Sequence, residues 1–358
     1  MRAAMLQDTV PVPPSLLTVA ERVEQRLDGL LAAEAARWSA LSPDLVAPLD
    51  SLRSLVMGGG KRLRPAFCFW GYRAAGGDED DAAVIEAGAA FEMLQAFALV
   101  HDDVMDGSAT RRGTRTAHLA YGDRHDEAVW RGEARRFGEG VAILIGDLAH
   151  VYADRLMAGT APPVRAVWDE LRIELNVGQY LDILGTARGD TDHEGARRIA
   201  RYKSGKYTIE RPLHVGAALA GHLEEHQSEL SAYGDPLGEA FQLRDDLLGA
   251  FGEEAATGKP VGDDLREGKP TPLLALATAQ ADEAQAAVLA EVGRPDLDGG
   301  GVARIQQVFV DTGAVRDIEA SIDALTNQAI AAIKVADVTD EARGALVDLA
   351  QFVAWRAS

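Results

Sequence analysis

Residues 80–103, DDAAVIEAGAAFEMLQAFALVHDD, constrain the fold more tightly than any other stretch. Between the terminal acids only Glu86, Glu92, Gln95 and His101 are polar, so as a helix the segment is apolar round much of its circumference. Such a helix must be covered on most sides. Other helices have to supply the cover, because the chain has few β-branched runs and is rich in Ala, Leu, Glu and Arg. Apolar spacing of three and four residues recurs at 16–38, 140–159, 169–187 and 236–252. From Pro272 onward, Ala/Leu-rich helices alternate with Asp/Gly turns. The expectation is an all-α fold: a single-domain helical bundle over 16–358, preceded by an extended, proline-bearing arm over 1–15. No fixed-period repeat and no dividing linker is evident. Loops are expected at 58–65, 112–140 and 253–270, and the long middle one is a candidate lid.

Charge narrows the function. With 56 acidic and 36 basic residues the chain carries a net charge of −20. That is a poor footprint for nucleic acid and for an anionic membrane surface. A single cysteine, Cys68, sits between Phe67 and Phe69, which reads as a buried, inert thiol. No internal disulfide can form, and a reducing, cytoplasmic compartment is expected. The N-terminal stretch lacks the apolar core of a signal peptide. No uninterrupted apolar run approaches the ~18–20 residues of a membrane span.

The central helix ends in FALVHDDVMDGSATRRG, residues 97–113. Asp102, Asp103 and Asp106 lie three and four apart, so their carboxylates can converge on one helix face. Like charges so placed repel unless a cation intervenes. Hard oxygen ligands of this kind suit Mg²⁺, which typically binds a few carboxylates together with substrate phosphates. A solvated acidic helix end is the bland alternative. Asp245 and Asp246, in FQLRDDLLGAFG, end a second apolar helix one turn beyond Gln242. Alone they could be a surface pair, but bundles commonly build metal sites from carboxylates on facing helices. Cations recur beside glycines: Lys61 and Arg64 in GGGKRLRP, Arg111 and Arg112, Lys203 in RYKSGKYT, Lys259 in TGKP and Lys269 in EGKP. Each alone could be a solvated surface residue. Together they outline a site for an allylic diphosphate, with carboxylates on Mg²⁺, cations on phosphate oxygens and an apolar pocket for the tail.

In that order the motifs resemble those of the trans-isoprenyl diphosphate synthases, the polyprenyl synthetase family, over nearly the whole chain. GGGKRLRP is similar to the family's isopentenyl diphosphate motif, and DDVMD with TRRG to its first aspartate-rich motif. YKS resembles the Lys-Thr motif with Ser204 for threonine. FQLRDDLLG and GKPVGDDLREGKPT resemble its second acidic region. The resemblance implies a bundle of the isoprenoid synthase type with a central cavity, working as a homodimer. Asp102 and Asp106 would hold two Mg²⁺ ions, with Asp103 supporting, and Asp245 a third, with Asp246 nearby. Arg111, Lys203 and Lys259 would contact the allylic diphosphate. Lys61, Arg64, Gln95 and Arg112 would hold isopentenyl diphosphate, with Gln95 where many members have histidine. Lys269 is a further candidate for a substrate contact. Ser204 and Gln242 would offer oxygen dipoles to the allylic cation. His101 is expected to be structural.

Gly249 departs from the pattern, standing where the usual third aspartate of the second motif would be, although Asp263 and Asp264 are close in sequence. Phe97 and Ala98, five and four residues before Asp102, resemble the chain-length positions of synthases making the C20 product, geranylgeranyl diphosphate. Phe97 could instead be core packing. A terpene cyclase would not need Lys61 and Arg64, and a non-catalytic partner subunit would have a degraded first motif. A helical scaffold would leave the two acidic helix ends unexplained.

Overall fold

The computed structural model describes residues 11–189, 192–252 and 261–356. They form α1 (Pro14–Ser39), α2 (Val46–Met57), α3 (Leu63–Ala74), α4 (Ala82–Asp106), α5 (Ala117–Glu127), α6 (Ala134–Met157), α7 (Pro162–Arg188) and α8 (His193–Ala200). A wide-turned π-helix (Arg201–Glu210) follows, then α9 (Arg211–Leu219), α10 (Leu223–Phe251) and α11 (Asp263–Glu267). The chain closes with α12 (Pro272–Gln280), α13 (Glu283–Leu289), α14 (Gly299–Asp311), α15 (Ala314–Val335) and α16 (Asp340–Trp355). Among the described residues the only strands are Thr110–Arg111 and Thr114–Arg115, a minimal antiparallel hairpin. The all-α expectation is therefore met. Two compact units are distinguished among the described residues: one holds 14–69 and 78–161, the other 11–13, 70–77 and the described residues from 162 onward.

In the first unit α4 is the hub, packed against α1, α2 and α6. Asp81 caps its N-terminus by accepting from the Ala83 amide, and Gly107 in the left-handed conformation ends it. Phe91, Met93 and Leu94 are fully buried. Gly88 admits α1, since a Cβ there would meet Val23 at 2.9 Å. α4 bears on the membrane-span expectation without overturning it. It is long and apolar enough, by length and composition, to cross a membrane, yet 61% of that window is buried inside the protein. The sequence expectation required an uninterrupted run, and Glu86, Glu92 and Gln95 break this one.

The 112–140 loop is not a loop. A hairpin occupies its start, α5 its middle and α6 its end. The buried face of α5 is His118, Tyr121 and His125, which carries little aliphatic signal but repeats every three to four residues. The expected helix at 236–252 also begins earlier: α10 starts at Leu223 and runs through Pro236.

The second unit is built on α10, which packs against α15, the π-helix, α9 and α16. Its core includes Leu243, Leu247, Leu273, Ile305, Phe309, Ile318 and Ile322. Glycines bring backbones together round the π-helix. Gly205 and Gly238 face each other at 3.0 Å or less from a Cβ on either, and a Cβ on Gly178 would collide with the Lys203 backbone.

Candidate active site

The end of α4 presents the first acidic motif. At ~100° per residue, Gln95, Ala98, Leu99, Asp102 and Asp106 share one face, while Phe97 is turned ~140° from Asp102. Phe97 packs edge-on to His101, with ring centroids 4.7 Å apart, and lies 4.8 Å from His150 of α6. His101 contacts the Ile143 carbonyl at 3.0 Å, and Gly146 leaves room for its ring. The hairpin folds Arg111 back over the helix end. Its Nε donates to Asp103 Oδ1 at 2.8 Å and its Nη2 to Asp102 Oδ2 at 3.2 Å. Asp103 is buried, so this pairing is what makes its charge tolerable.

Beside it lies the glycine loop. Gly59 and Gly60 take φ of 112° and 127°, values that favour glycine, and Arg62 is left-handed at 52°. Arg62 is held there by Glu92, by Glu24 at 3.0 Å and by the Val56 carbonyl at 2.6 Å. Burial alone would lower its pKa, but Glu92 and Glu24 raise it overall. Arg112 donates to the Leu55 carbonyl at 2.6 Å. Burial pushes its pKa down, and the charges of Arg62, Arg111 and Arg64 add to that, while Glu92 opposes. Arg64, in the first turn of α3, thus belongs to one cationic cluster with Arg111 and Arg112; Lys61 sits in the loop between. The sequence reading gives Glu92 no role at the site. Its signal is an acid inside an apolar helix, one turn before Gln95.

In the second unit Lys203 and Ser204 lie on the π-helix, a form often found at functional sites. Lys203 Nζ donates to Asp182 Oδ2 at 2.7 Å. Asp182, buried on α7, was not identified from sequence. Next in the π-helix, Lys206 reaches Glu174 at 3.1 Å, and Arg211 grips the same carboxylate at 2.7 Å through two nitrogens. On α10, Gln242 Nε2 donates to Asp246 Oδ1 at 2.8 Å, and Arg356 holds Asp245. Asp246 is buried, and its other oxygen, Oδ2, has no hydrogen-bond partner among the described residues. Burial raises its pKa well above the carboxylate range, and the like charges of Asp264, Asp245 and Asp182 add to the rise, against the Gln242 bond. A carboxylate placed so is deficient in positive charge, and its hard oxygens fit a divalent cation. Lys269 lies 2.7 Å from Glu267 and 3.8 Å from Asp264. Lys259 falls outside the described residues.

As they stand, no three His, Cys, Asp or Glu side chains among the described residues gather into a metal-holding group. Arg111, Arg356 and Lys203 each pair with a carboxylate. What the geometry does show is a paired acidic motif with cations in one unit and, in the other, a buried Asp246 on α10 and a buried Asp182 paired with Lys203. Those are the elements of an enzyme that handles a diphosphate in an all-α scaffold.

The comparisons carry this further. The polyprenyl synthetase family model matches residues 48–309. A geranylfarnesyl diphosphate synthase of Aeropyrum pernix is 34% identical over 270 residues, covering 73% of this chain and 79% of its own. A geranylgeranyl diphosphate synthase of Mycobacterium tuberculosis is 35% identical over 231 residues, covering 63% and 61%. A geranylgeranyl pyrophosphate synthase from Corynebacterium glutamicum, solved with isoprenyl diphosphate and magnesium, superposes with a TM-score of 0.90 at 38% identity, over 95% of this chain and 99% of that one. The chain is thus an all-α prenyltransferase of the isoprenoid synthase fold. It belongs to the polyprenyl synthetase family, with the activity of a trans-prenyl diphosphate synthase.

Proposed function

We propose that this enzyme is a Mg²⁺-dependent synthase that condenses isopentenyl diphosphate with an allylic diphosphate, and that its end product is C20 geranylgeranyl diphosphate. The observation that carries the condensation is the cationic cluster of Arg64, Arg111 and Arg112 beside the acidic end of α4. A cluster of like charges is costly, and an anionic substrate relieves it. Asp102, Asp106 and Asp245 would hold Mg²⁺, supported by Asp103 and Asp246. Bound Mg²⁺ supplies charge stabilisation for the departing diphosphate. Arg111 and Lys203 orient that diphosphate, and Lys61, Arg64, Gln95 and Arg112 hold isopentenyl diphosphate. The allylic C–O bond breaks with its electron pair leaving on the diphosphate. The double bond of isopentenyl diphosphate then attacks the cation, and the proton lost passes to the released diphosphate. Gln242, anchored through its amide nitrogen to Asp246, keeps its carbonyl oxygen for the cation.

Product length is supported by the geranylgeranyl relatives and by the small Ala98 on the face of α4 that carries Asp102. A C25 product is the second reading. It is favoured by Phe97, which is turned from that face, and by the geranylfarnesyl relative. The test supplies Mg²⁺, isopentenyl diphosphate and, separately, dimethylallyl, geranyl, farnesyl and geranylgeranyl diphosphates, and sizes products by mass spectrometry. A C20 end point supports the proposal, a C25 or longer ladder replaces the length, and no condensation refutes it. We further infer a homodimer, supported by exposed Ile143, Leu144 and Val151 on α6, checked by light scattering, and a cytoplasmic location suited to the single buried thiol.

A further inference from the structure

A π-helix is the rarer coil, and it needs support from outside itself. Its last bond shows where the support is. The Arg211 amide donates to the Lys206 carbonyl, five residues back. The next residue, Pro212, has no amide hydrogen with which to back that bond up. Lys206 and Arg211, the two residues so tied, also share a side-chain partner. Lys206 Nζ lies 3.1 Å from Glu174 Oε1, and Arg211 donates to both oxygens of that carboxylate at 2.7 Å. In an α-helix, residues five apart point ~140° away from each other. In the wide turn they stack. Both can therefore grip one carboxylate only while the extra residue stays in the turn.

α7 presents that carboxylate in a row with two other points of contact. Glu174, Gly178 and Asp182 are buried, four apart and on one face. Gly178 seats the π-helix backbone, since a Cβ there would come within 2.4 Å of the Lys203 nitrogen. Asp182 takes the Lys203 ammonium at 2.7 Å. A slip of the turn at Lys206 and Arg211 is thus passed on to Lys203. The charges about Glu174 answer one another. Lys206 also approaches Glu210 at 3.3 Å, Ser231 donates to Glu210 at 2.8 Å, and Ser231 meets His214 at 3.0 Å.

We propose that Glu174 is a positioning residue for the reaction: by holding Lys206 and Arg211 together it locks the wide turn and aims Lys203 at the allylic diphosphate. Lys206, three residues after Lys203, is an internal brace and not a second phosphate contact. This rests on the synthase reading above.

Wild-type protein, Glu174→Gln, Lys206→Met and Ser231→Ala would be compared by steady-state kinetics, varying each substrate in turn, and by thermal melts. Glu174→Gln should raise KM for the allylic diphosphate about tenfold and lower kcat about tenfold, together the ~100-fold that a small misplacement costs. KM for isopentenyl diphosphate should stay within about threefold of wild type. Lys206→Met leaves Arg211 on the carboxylate, so it should move the same constants in the same direction by less. It decides the case if Glu174→Gln does not fold. Ser231→Ala, which touches Glu210 and His214 in the same network, should lower the melting temperature and leave both KM values unchanged. A folded Glu174→Gln variant that keeps its allylic KM overturns the inference, whatever its kcat. So does a rise of both KM values alike, or a Ser231→Ala variant with the same kinetic defect. Wild-type protein that condenses no pair of substrates overturns the synthase reading and this inference with it.

Discussion

The two acidic motifs solve the same electrostatic problem in opposite ways. At the end of α4, Asp102 and Asp103 are answered by Arg111, delivered by a hairpin a few residues downstream. On α10, Asp246 is buried among Asp245, Asp264 and Asp182 with one oxygen unanswered. In the first motif the protein's own Arg111 pairs with Asp102 and Asp103, whereas in the second Arg356 pairs with Asp245 and, among the described residues, Asp246 is met only by the Gln242 amide. Asp246 is thereby disfavoured as an anion, and a proton or a bound cation relieves it. A buried carboxylate without a partner is costly, and the core of the second unit must sustain that cost until the site is filled.

The comparison can be broken at its strongest point. Arg111→Met should lower kcat/KM by about 10²–10³-fold, the usual loss for one preorganised charge contact. It should also destabilise the protein, because Asp103 would be left buried and unpaired, a change worth ~3–5 kcal/mol when buried pairs are split. Activity assays and urea melts measure the two effects. Asp246→Asn should do the reverse to stability. Activity should fall at least tenfold, but the metal-free melting temperature should rise by a few degrees, since a group whose ionisation is opposed by burial and by like charges is replaced by a neutral one. A fall in that temperature would show that Asp246 is already satisfied and the contrast false.

Acid sensitivity sharpens the contrast by separating the site from its neighbour network. His214 is buried, and its pKa is lowered to about 4, chiefly by burial, with Glu210 opposing and Arg211 assisting. Between pH ~6.5 and about 4 the unfolded chain therefore binds a proton that the folded chain refuses, so stability falls as pH falls through that window. His214→Gln should flatten that part of the stability–pH curve without changing its neutral value by more than about 1 kcal/mol. The smallest effect concerns Cys68, buried in the same unit as the first motif, with its thiol pKa pushed well up by burial. Alkylation should be negligible in the native protein. It should quicken several-fold in Arg111→Met and stay unchanged in Asp246→Asn.

The sequence carried the fold class because α4 is apolar almost all round, and the acidic and basic motifs because charges at glycine turns and helix ends stand out against an Ala/Leu background. What it did not carry depends on three-dimensional closure. α5 was hidden because its buried face is two histidines and a tyrosine. The π-helix depends on backbone contacts at Gly178, Gly205 and Gly238, which no local spacing reveals. Glu92 and Asp182 are lone acids in long helices, and only burial beside Arg62 and Lys203 separates them from surface charge.

The π-helix has a consequence for how such a site can change over generations. Each residue added to or removed from a helix rotates everything beyond it by ~100°. Substitutions can only retouch Lys203, Ser204 and Lys206 one at a time. A single-codon deletion within 201–210 would instead tighten the coil and swing Lys203 away from Asp182 while the downstream grip of Arg211 on Glu174 held firm. For this segment, insertion and deletion are the large evolutionary steps, and point mutation the small ones.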